Sequence, residues 1–172
     1  ISEVPTTNPG LLDTCLLVLH DWSHYLLLVD EEIDGERGVI SEEWRTRRNA
    51  GFRVRNQIMP VLLKDSKYAQ RDVIGDLNII KNFKYQTLRD YYHKWYRPDL
   101  QAIAVVGDFD VDQMEKKVKE LFSKIPTPVN PAKRENFTVN PHDEIYFVCA
   151  TDKELTQSSV SVYIKYPAPT KE

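Results

Sequence analysis

The sequence predicts an α+β fold, and three observations carry this prediction. Apolar residues recur at helical spacing in four stretches of the chain, and three shorter runs are apolar or alternate as strands do. Prolines then gather near the end and separate the last two strand candidates from the rest. The predicted helices cover residues 11–19, 30–58, 87–96 and 110–123, and the predicted strands cover residues 102–106, 144–150 and 158–166.

The first two helices have recognisable boundaries. The turn Asn8-Pro9-Gly10 precedes the first helix, and Asp30 is a good N-cap for the second. Pro60 should interrupt the second helix. Gly51 within it indicates either close packing or a break, because glycine disfavours a helix interior by about 1 kcal/mol.

The third helix carries an aromatic face. Leu88, Tyr91 and Trp95 follow i, i+3, i+7 spacing, and the pair Arg97-Pro98 stops the helix. Without a stripe of Lys and Arg nearby, this face is typical of a core and not of a nucleic-acid surface.

The segments around the third helix complete the first part of the chain. Residues 65–83 are predicted to form a loop with short turns, and residues 102–106 a buried strand. Asp110 to Gln113 has the pattern of a capping box, and the helix that it opens should end near Ser123.

The segment 127–143 is predicted to be a linker, because polar residues separate its prolines. The remaining stretch, residues 144–172, carries two strands but is too short to bury a core alone. We therefore expect it to pack on the first part of the chain or on another chain. The prolines of this region are Pro126, Pro128, Pro131 and Pro141.

Two carboxylates stand out in the second helix. Glu36 and Glu43 are seven residues apart, which is close to two helical turns, so both side chains project from the same face of the helix. Ile33, Ile40 and Trp44 form an apolar stripe roughly 60 to 80 degrees round from them, so we expect the carboxylates to face a cleft. Spacing alone leaves two interpretations open: a solvated acidic face, or a metal ligand with a second glutamate behind it.

The residue sequence of this segment also resembles a motif of a known protein family. Glu-Arg-x-Val-Ile-x-Glu-Glu at 36–43, preceded by Asp-Glu-Glu-Ile at 30–33, resembles the second signature of the pitrilysin/insulinase family of zinc metalloproteases, the inverzincins. The resemblance implies that Glu43 is the third zinc ligand and that Glu36 is the assisting catalytic glutamate. Glu42 is the alternative ligand, but it points about 100 degrees away from the Glu36 line.

Later blocks are similar to the same family. Residues 91–110 look like its "helix, Tyr-x-Pro, apolar strand, Gly-Asp" block, and the helix through Met114 and Phe122 looks like its closing helix. The turn 151–154 is similar to the family's entry into its next domain. The resemblance implies a processing-peptidase-like (LuxS/MPP-like) metallohydrolase domain that is incomplete at its N-terminus.

The implied domains follow from these blocks. Residues 1–126 would be the C-terminal part of the first, zinc-binding domain, residues 127–143 the linker, and residues 144–172 the first strands of the following domain. The family's two zinc-binding histidines and catalytic base come from an H-x-x-E-H helix, and this motif is absent from the sequence. We expect it upstream, since the chain begins at Ile1 and not at a methionine.

The pair His20 and His24 is the other candidate for zinc. An i, i+4 histidine pair on a helix can hold zinc with a third ligand, but no glutamate stands inside this pair to act as a base. The intervening Asp-Trp-Ser indicates that the helix is ending, which favours a partly exposed role at a helix end.

The implied function is that of a part of a zinc-dependent metalloendopeptidase, which hydrolyses peptide bonds in peptides or small proteins. Its cofactor would be Zn²⁺ in the full-length protein, and its partners a peptide or protein substrate, the missing N-terminal segment, and the second half of the same protein or a partner subunit. The isolated segment should be inactive, because one carboxylate is far from a closed zinc site. The alternatives are a non-catalytic, protease-like structural or substrate-binding subunit, and a plain α+β binding module.

Composition excludes several classes of function. With 28% charged residues and a net charge of −3, neither disorder nor a polyanionic partner is indicated. No run reaches the roughly 18 apolar residues that a membrane span needs. The resemblance leaves the bacterial periplasm and the cytoplasm open as locations. Cys15 and Cys149 are expected to pack in the core, with no pattern that supports a disulfide.

Overall fold

The computed structural model describes residue 5 and residues 7–166. These described residues contain helices but no β-strand. The helical part of the predicted α+β fold is therefore present, whereas its strands stay a prediction. The helices are α1 (Pro9–His24), α2 (Asp30–Thr46), α3 (Ala50–Leu62), α4 (Leu77–Asn82), α5 (Tyr85–Trp95) and α6 (Val111–Phe122), and short 3₁₀ turns occupy Lys67–Ala69 and Pro98–Leu100.

The chain forms two compact units. One contains the described residues up to Ile33 together with Lys84–Lys133, and the other contains Asp34–Phe83 together with the described residues from Arg134 onward. In the first unit α1 packs against α6. The buried apolar side chains of this unit are Leu16, Ile33, Tyr92, Met114 and Ile125.

Helix α1 is longer than predicted. It begins at the expected turn, where the Asn8 side chain accepts a hydrogen bond from the Gly10 amide at 3.1 Å, but it runs on to His24. The prediction that the helix ends within Asp21–Ser23 is wrong. Carbonyls of its last turn find distant partners, because the Tyr92 hydroxyl donates to the Trp22 carbonyl at 2.9 Å and the side-chain Nε2 of Gln101 donates to the Ser23 carbonyl at 2.8 Å.

The predicted long helix from Asp30 is two helices. Asp30 is the first residue of α2 and not its cap, and α2 ends at Thr46. Asn49 starts α3, because its side chain accepts a hydrogen bond from the Phe52 amide at 2.9 Å, so the alternative of a break near Gly51 is confirmed.

Pro60 does not interrupt α3. The helix continues past it to Leu62, and the Leu63 amide closes the end with a 2.8 Å bond to the Met59 carbonyl. A proline this close to the C-terminal end removes one intrahelical hydrogen bond and leaves little helix to distort. The loop predicted for residues 65–83 contains α4 as well as a 3₁₀ turn.

The buried aromatic residue of α5 is Tyr92 and not Tyr91. Tyr92 is 3% exposed and Tyr91 is 58% exposed, so Tyr92 takes the place predicted for Tyr91, whereas Leu88 and Trp95 are half-buried. The start of α6 is confirmed, since the Asp110 side chain accepts a hydrogen bond from the Gln113 amide at 2.9 Å.

The three predicted strands are segments without helix or strand pairing among the described residues. Val106 is 95% exposed, so the burial predicted for residues 102–106 is wrong within the described part of the chain. Apolar side chains of the other two segments, such as Phe147 and Val160, are exposed as well. A strand becomes regular only when its backbone groups pair with a neighbour.

Two further observations bear on the predictions. Cys15 and Cys149 are free thiols, and Cys149 is exposed, so the predicted core role fits only the half-buried Cys15.

Across residue 5 and residues 7–166, no helix combines the length and apolar character needed to cross a membrane.

Candidate functional site

Helix α2 carries both candidate carboxylates on one uninterrupted helix. Seven residues of regular helix separate Glu36 from Glu43 by about 10 Å along the axis and about 20 degrees around it. The predicted apolar stripe is confirmed, because Ile33 is buried and Ile40 and Trp44 are half-buried. The helix therefore directs its apolar side inward and leaves the two glutamates at the edge.

The two carboxylates differ in their surroundings. The side chain of Glu43 is 38% exposed, and its Oε1 lies 2.5 Å from Nη2 of Arg47, one turn further along. Glu36 is exposed, and within the described residues its carboxylate has no hydrogen-bond or ion-pair partner. The cleft expected around both side chains is thus not formed around Glu36 by the part of the chain that the structure describes.

Glu42 has a different partner. Its carboxylate pairs with Arg45, Nη2 to Oε2, at 2.9 Å, and both side chains are well exposed. The neighbouring glutamates are therefore engaged by separate arginines on separate sides of the helix.

Arg89 of α5 holds the N-terminal end of α2. Its guanidinium donates two hydrogen bonds, of 3.0 and 2.8 Å, to the Leu28 carbonyl and pairs with the Asp30 carboxylate. Leu28 has a φ of 48 degrees, an unusual conformation for a non-glycine residue that this carbonyl contact helps to hold. The negative charge of Asp30 also suits the N-terminal end of the helix dipole.

Arg37, beside Glu36, joins α2 to α4. Its Nη1 donates to the Ile80 carbonyl at 2.5 Å and its Nη2 to the Phe83 carbonyl at 2.6 Å, while Nε binds Asp34 at 3.0 Å. The guanidinium also lies 3.9 Å from the centre of the Phe83 ring. Arg37 therefore satisfies carbonyls that the C-terminal end of α4 leaves without helical partners.

Within the described residues, the histidine pair makes packing contacts and has no third metal ligand beside it. The His20 ring stacks on Tyr25 with ring centres 4.8 Å apart and meets the edge of Phe122 at 5.6 Å. His24, the last residue of α1, has Nδ1 3.2 Å from the Tyr96 carbonyl oxygen. Both imidazoles thus have packing roles at the end of α1.

The predicted zinc ligand of this chain is Glu43. Across the described residues, no group of three or more His, Cys, Asp or Glu side chains is arranged to hold a metal ion. Glu43 nevertheless fits a single-ligand role, because a carboxylate oxygen is a normal zinc donor and its ion pair with an exposed arginine is weak. The assignment of Glu43 to zinc therefore stays a prediction that requires further ligands.

Arg53 of α3 binds two carboxylates of the second unit. Its guanidinium donates two hydrogen bonds, of 2.6 and 2.8 Å, to the Asp152 carboxylate and one of 2.6 Å to the Glu154 carboxylate. The hydrogen bonds from Arg53 lower the pKa of Asp152 to about 2. Gln57 adds a 3.1 Å bond to the Thr151 carbonyl, so α3 holds the whole turn 151–154.

Comparison with known proteins connects this geometry to peptidases. A family profile described as the Peptidase M16 inactive domain matches residues 82–172. The chain is 35% identical to the probable zinc protease PqqL of Haemophilus influenzae over 80% of its length, and 29% identical to PqqL of Escherichia coli over 96%. The crystal structure of the first half of the periplasmic protease PqqL from Escherichia coli superposes with a TM-score of 0.75 at 29% identity, over 81% of this chain and 30% of that one.

The chain spans only a small part of these relatives. It covers 15% of the Haemophilus influenzae protein and 18% of the Escherichia coli protein. The matched profile begins at residue 82, so α2 with Glu36 and Glu43 lies outside it.

Proposed function

Because this chain belongs to the M16 peptidase family, we propose that the full-length protein containing it is a zinc-dependent endopeptidase that hydrolyses peptides or small proteins. Its curated relatives are named probable zinc proteases, which supports a peptidase parent. The observation that carries the proposal is α2, on which the accessible Glu43 carboxylate stands in register with Glu36.

Glu43 would be a zinc ligand. Its carboxylate is half-exposed and its partner Arg47 is 61% exposed, so the carboxylate can exchange that partner for a metal ion at little expense in free energy. When bound, zinc acts as a Lewis acid and lowers the pKa of a water molecule toward neutrality. Two histidines and a general base from an H-x-x-E-H helix would complete the site from outside these residues.

Glu36 would not bind zinc itself but would hydrogen-bond to a residue that does. Its carboxylate has no partner within the described residues, so it is free to accept the N–H of a histidine ligand and to orient that ring. Its negative charge would also favour a cationic site nearby. This role predicts that Glu36 affects turnover more than metal content.

A non-catalytic, protease-like subunit is the second candidate. The profile that matches residues 82–172 is described as an inactive domain, which favours this alternative. Helix α2 lies outside the match and retains both carboxylates, which favours catalysis. The metal content of the full-length protein separates the two.

The comparisons also support proposals about organisation and location. The residues 1–126 would finish a zinc-binding domain, the linker 127–143 would follow, and residues 144–172 would open the next domain as paired strands, which would make the whole α+β. The partner would be the remainder of the same protein, since PqqL relatives are much longer. We propose the periplasm as the location, because the structural relative is named a periplasmic protease.

Substitution of the two glutamates tests the proposal. In the full-length protein, Glu43→Gln should lower bound zinc well below one ion per chain and abolish peptide hydrolysis, because the amide is a poor ligand. Glu36→Gln should retain zinc and slow turnover by about 10- to 100-fold, the usual effect of changing an outer partner of a metal ligand. Zinc content by atomic absorption and cleavage of a quenched fluorescent peptide are the measurements.

Glu42→Gln is the matched control for these variants. It removes the same charge from the neighbouring position, whose carboxylate binds Arg45, and should leave zinc content and activity unchanged. Full zinc content and activity in Glu43→Gln would contradict the assignment, and loss of zinc in Glu42→Gln alone would transfer it to Glu42.

A further inference from the structure

One arginine is bound directly to the carboxylate that we assign to zinc. Nη2 of Arg47 lies 2.5 Å from Oε1 of Glu43, and the Arg47 amide donates to the Glu43 carbonyl at 3.1 Å. Arg47 follows directly after the last residue of α2, so this contact is made at the end of the helix. Main chain and side chain together keep the guanidinium beside one carboxylate.

A cation in this position opposes the binding of a second cation. The guanidinium occupies an oxygen that a metal ion would use, and its positive charge repels a divalent ion at the same carboxylate. The pair is too exposed to prevent metal binding, because solvent-exposed ion pairs contribute little free energy. The expected effect is a weakened but intact metal affinity.

We propose that Arg47 is a positioning counter-ion that competes with zinc for the Glu43 carboxylate and thereby limits how tightly the full-length protein holds its metal. This inference rests on the proposed function, since it requires Glu43 to be a ligand. Arg47 would weaken the hold on zinc and make the ion easier to release, without touching substrate.

The neighbouring arginine provides a matched control. Arg45 stands on the same helix turn, is 70% exposed, and pairs with Glu42 at 2.9 Å and not with Glu43. A general change in surface charge would act similarly through both arginines, whereas competition at the carboxylate acts through Arg47 alone.

The test measures the zinc affinity of the full-length protein by competition with a chromogenic chelator. Arg47→Gln should bind zinc tighter by about three- to fivefold, the upper part of the range for removing one exposed ion pair. Arg47→Lys keeps the charge and should stay within about twofold of the unaltered protein. Arg45→Gln should also leave the affinity unchanged.

The outcomes separate the two proposals. Equal or weaker zinc affinity in Arg47→Gln would overturn the counter-ion role, as would equal tightening in Arg45→Gln. A protein whose zinc affinity is unaffected by Glu43→Gln would overturn the proposed function instead. A purely structural role of Arg47, through the helix dipole, would lower the thermal midpoint of Arg47→Gln without tightening zinc binding.

Discussion

Tyr92 shows how a single side chain holds the end of one helix and the chain beyond it. Its hydroxyl donates to the Trp22 carbonyl at 2.9 Å and accepts from the Leu26 amide at 3.3 Å. Burial raises the pKa of Tyr92, so the neutral phenol that makes both bonds is retained up to a pH above the usual range for tyrosine. The Tyr92 hydroxyl oxygen therefore joins the last turn of α1 to the segment that follows it.

Tyr92→Phe should loosen this segment. Loss of the hydroxyl leaves the Leu26 amide and the Trp22 carbonyl, both in part-buried hydrogen bonds, with poorer partners, which destabilises the local structure by about 1 to 2 kcal/mol. Amide hydrogen exchange of residues 22–29 should accelerate by about 5- to 30-fold, as expected from that free energy. Tyr91→Phe is the control, because Tyr91 is 58% exposed, and an equal acceleration in both variants would contradict the role of Tyr92.

The ion pair between Glu43 and Arg47 is also a contact between single side chains, but its spacing along the helix is enough to predict it. Glutamate and arginine four residues apart are neighbours on a helix surface, and Glu42 with Arg45 follows the i, i+3 version. The two pairs also differ in exposure, because the side chain of Glu43 is 38% exposed and that of Glu42 is 65% exposed.

At the scale of elements, α4 is too short to be stable alone. An isolated six-residue helix does not persist in water, because nucleation is unfavourable. Its two ends are held by side chains, with Asp76 accepting from the Asn78 and Ile79 amides at the start and Arg37 binding the Ile80 and Phe83 carbonyls at the end. Sequence analysis predicted a loop here, because the partner that stabilises the end lies about 43 residues away.

Arg37→Met should melt α4 while leaving α2 helical. Methionine keeps the length and the helix propensity but donates no hydrogen bonds, and two bonds from a charged donor are each worth about 1.5 to 3 kcal/mol. Amide exchange of residues 77–83 should rise by at least about tenfold. The exposed Arg45 offers the control Arg45→Met, and unchanged protection of residues 77–83 in Arg37→Met would show that α4 is held by other contacts.

The end of α1 and the break after α2 follow the same logic. Asn49 is a good N-cap by residue type, yet the continuous apolar pattern predicted a single helix through it. His24 continues α1 because carbonyls of the last turn find partners on residues far along the chain, which no local signal contains.

At the scale of the whole molecule, each unit joins segments that are far apart in sequence. In the second unit, Arg53 binds Asp152 across 99 positions and so anchors the turn 151–154 to α3. In the first unit, Arg97, which is 5% exposed, donates to the Ala132 carbonyl at 2.6 Å. Arginines thus tie the later, extended parts of the chain to the helices.

The Arg53 contact predicts a pH dependence. The pKa of Asp152 is lowered from 3.8 to about 2, so its contribution to stability is present above about pH 4 and is lost as the pH falls through about 2. Carboxyl carbon NMR of Asp152 should therefore titrate near pH 2. In Arg53→Gln, which removes the charge and most of the hydrogen bonds, the midpoint should return toward 3.8, and an unchanged midpoint would exclude Arg53 as the cause.

Spacing along the chain predicted what depends on near neighbours: the amphipathic helices, the Asp110 cap, the apolar stripe of α2 and the alignment of Glu36 with Glu43. These features follow from helical geometry and from hydrogen bonds within one or two turns. Packing decided the rest, including which tyrosine of α5 is buried, where α1 ends, and how Arg37 and Arg53 hold α4 and the turn 151–154. Such contacts join residues tens of positions apart, and their formation depends on the folding of the intervening chain, which local spacing does not encode.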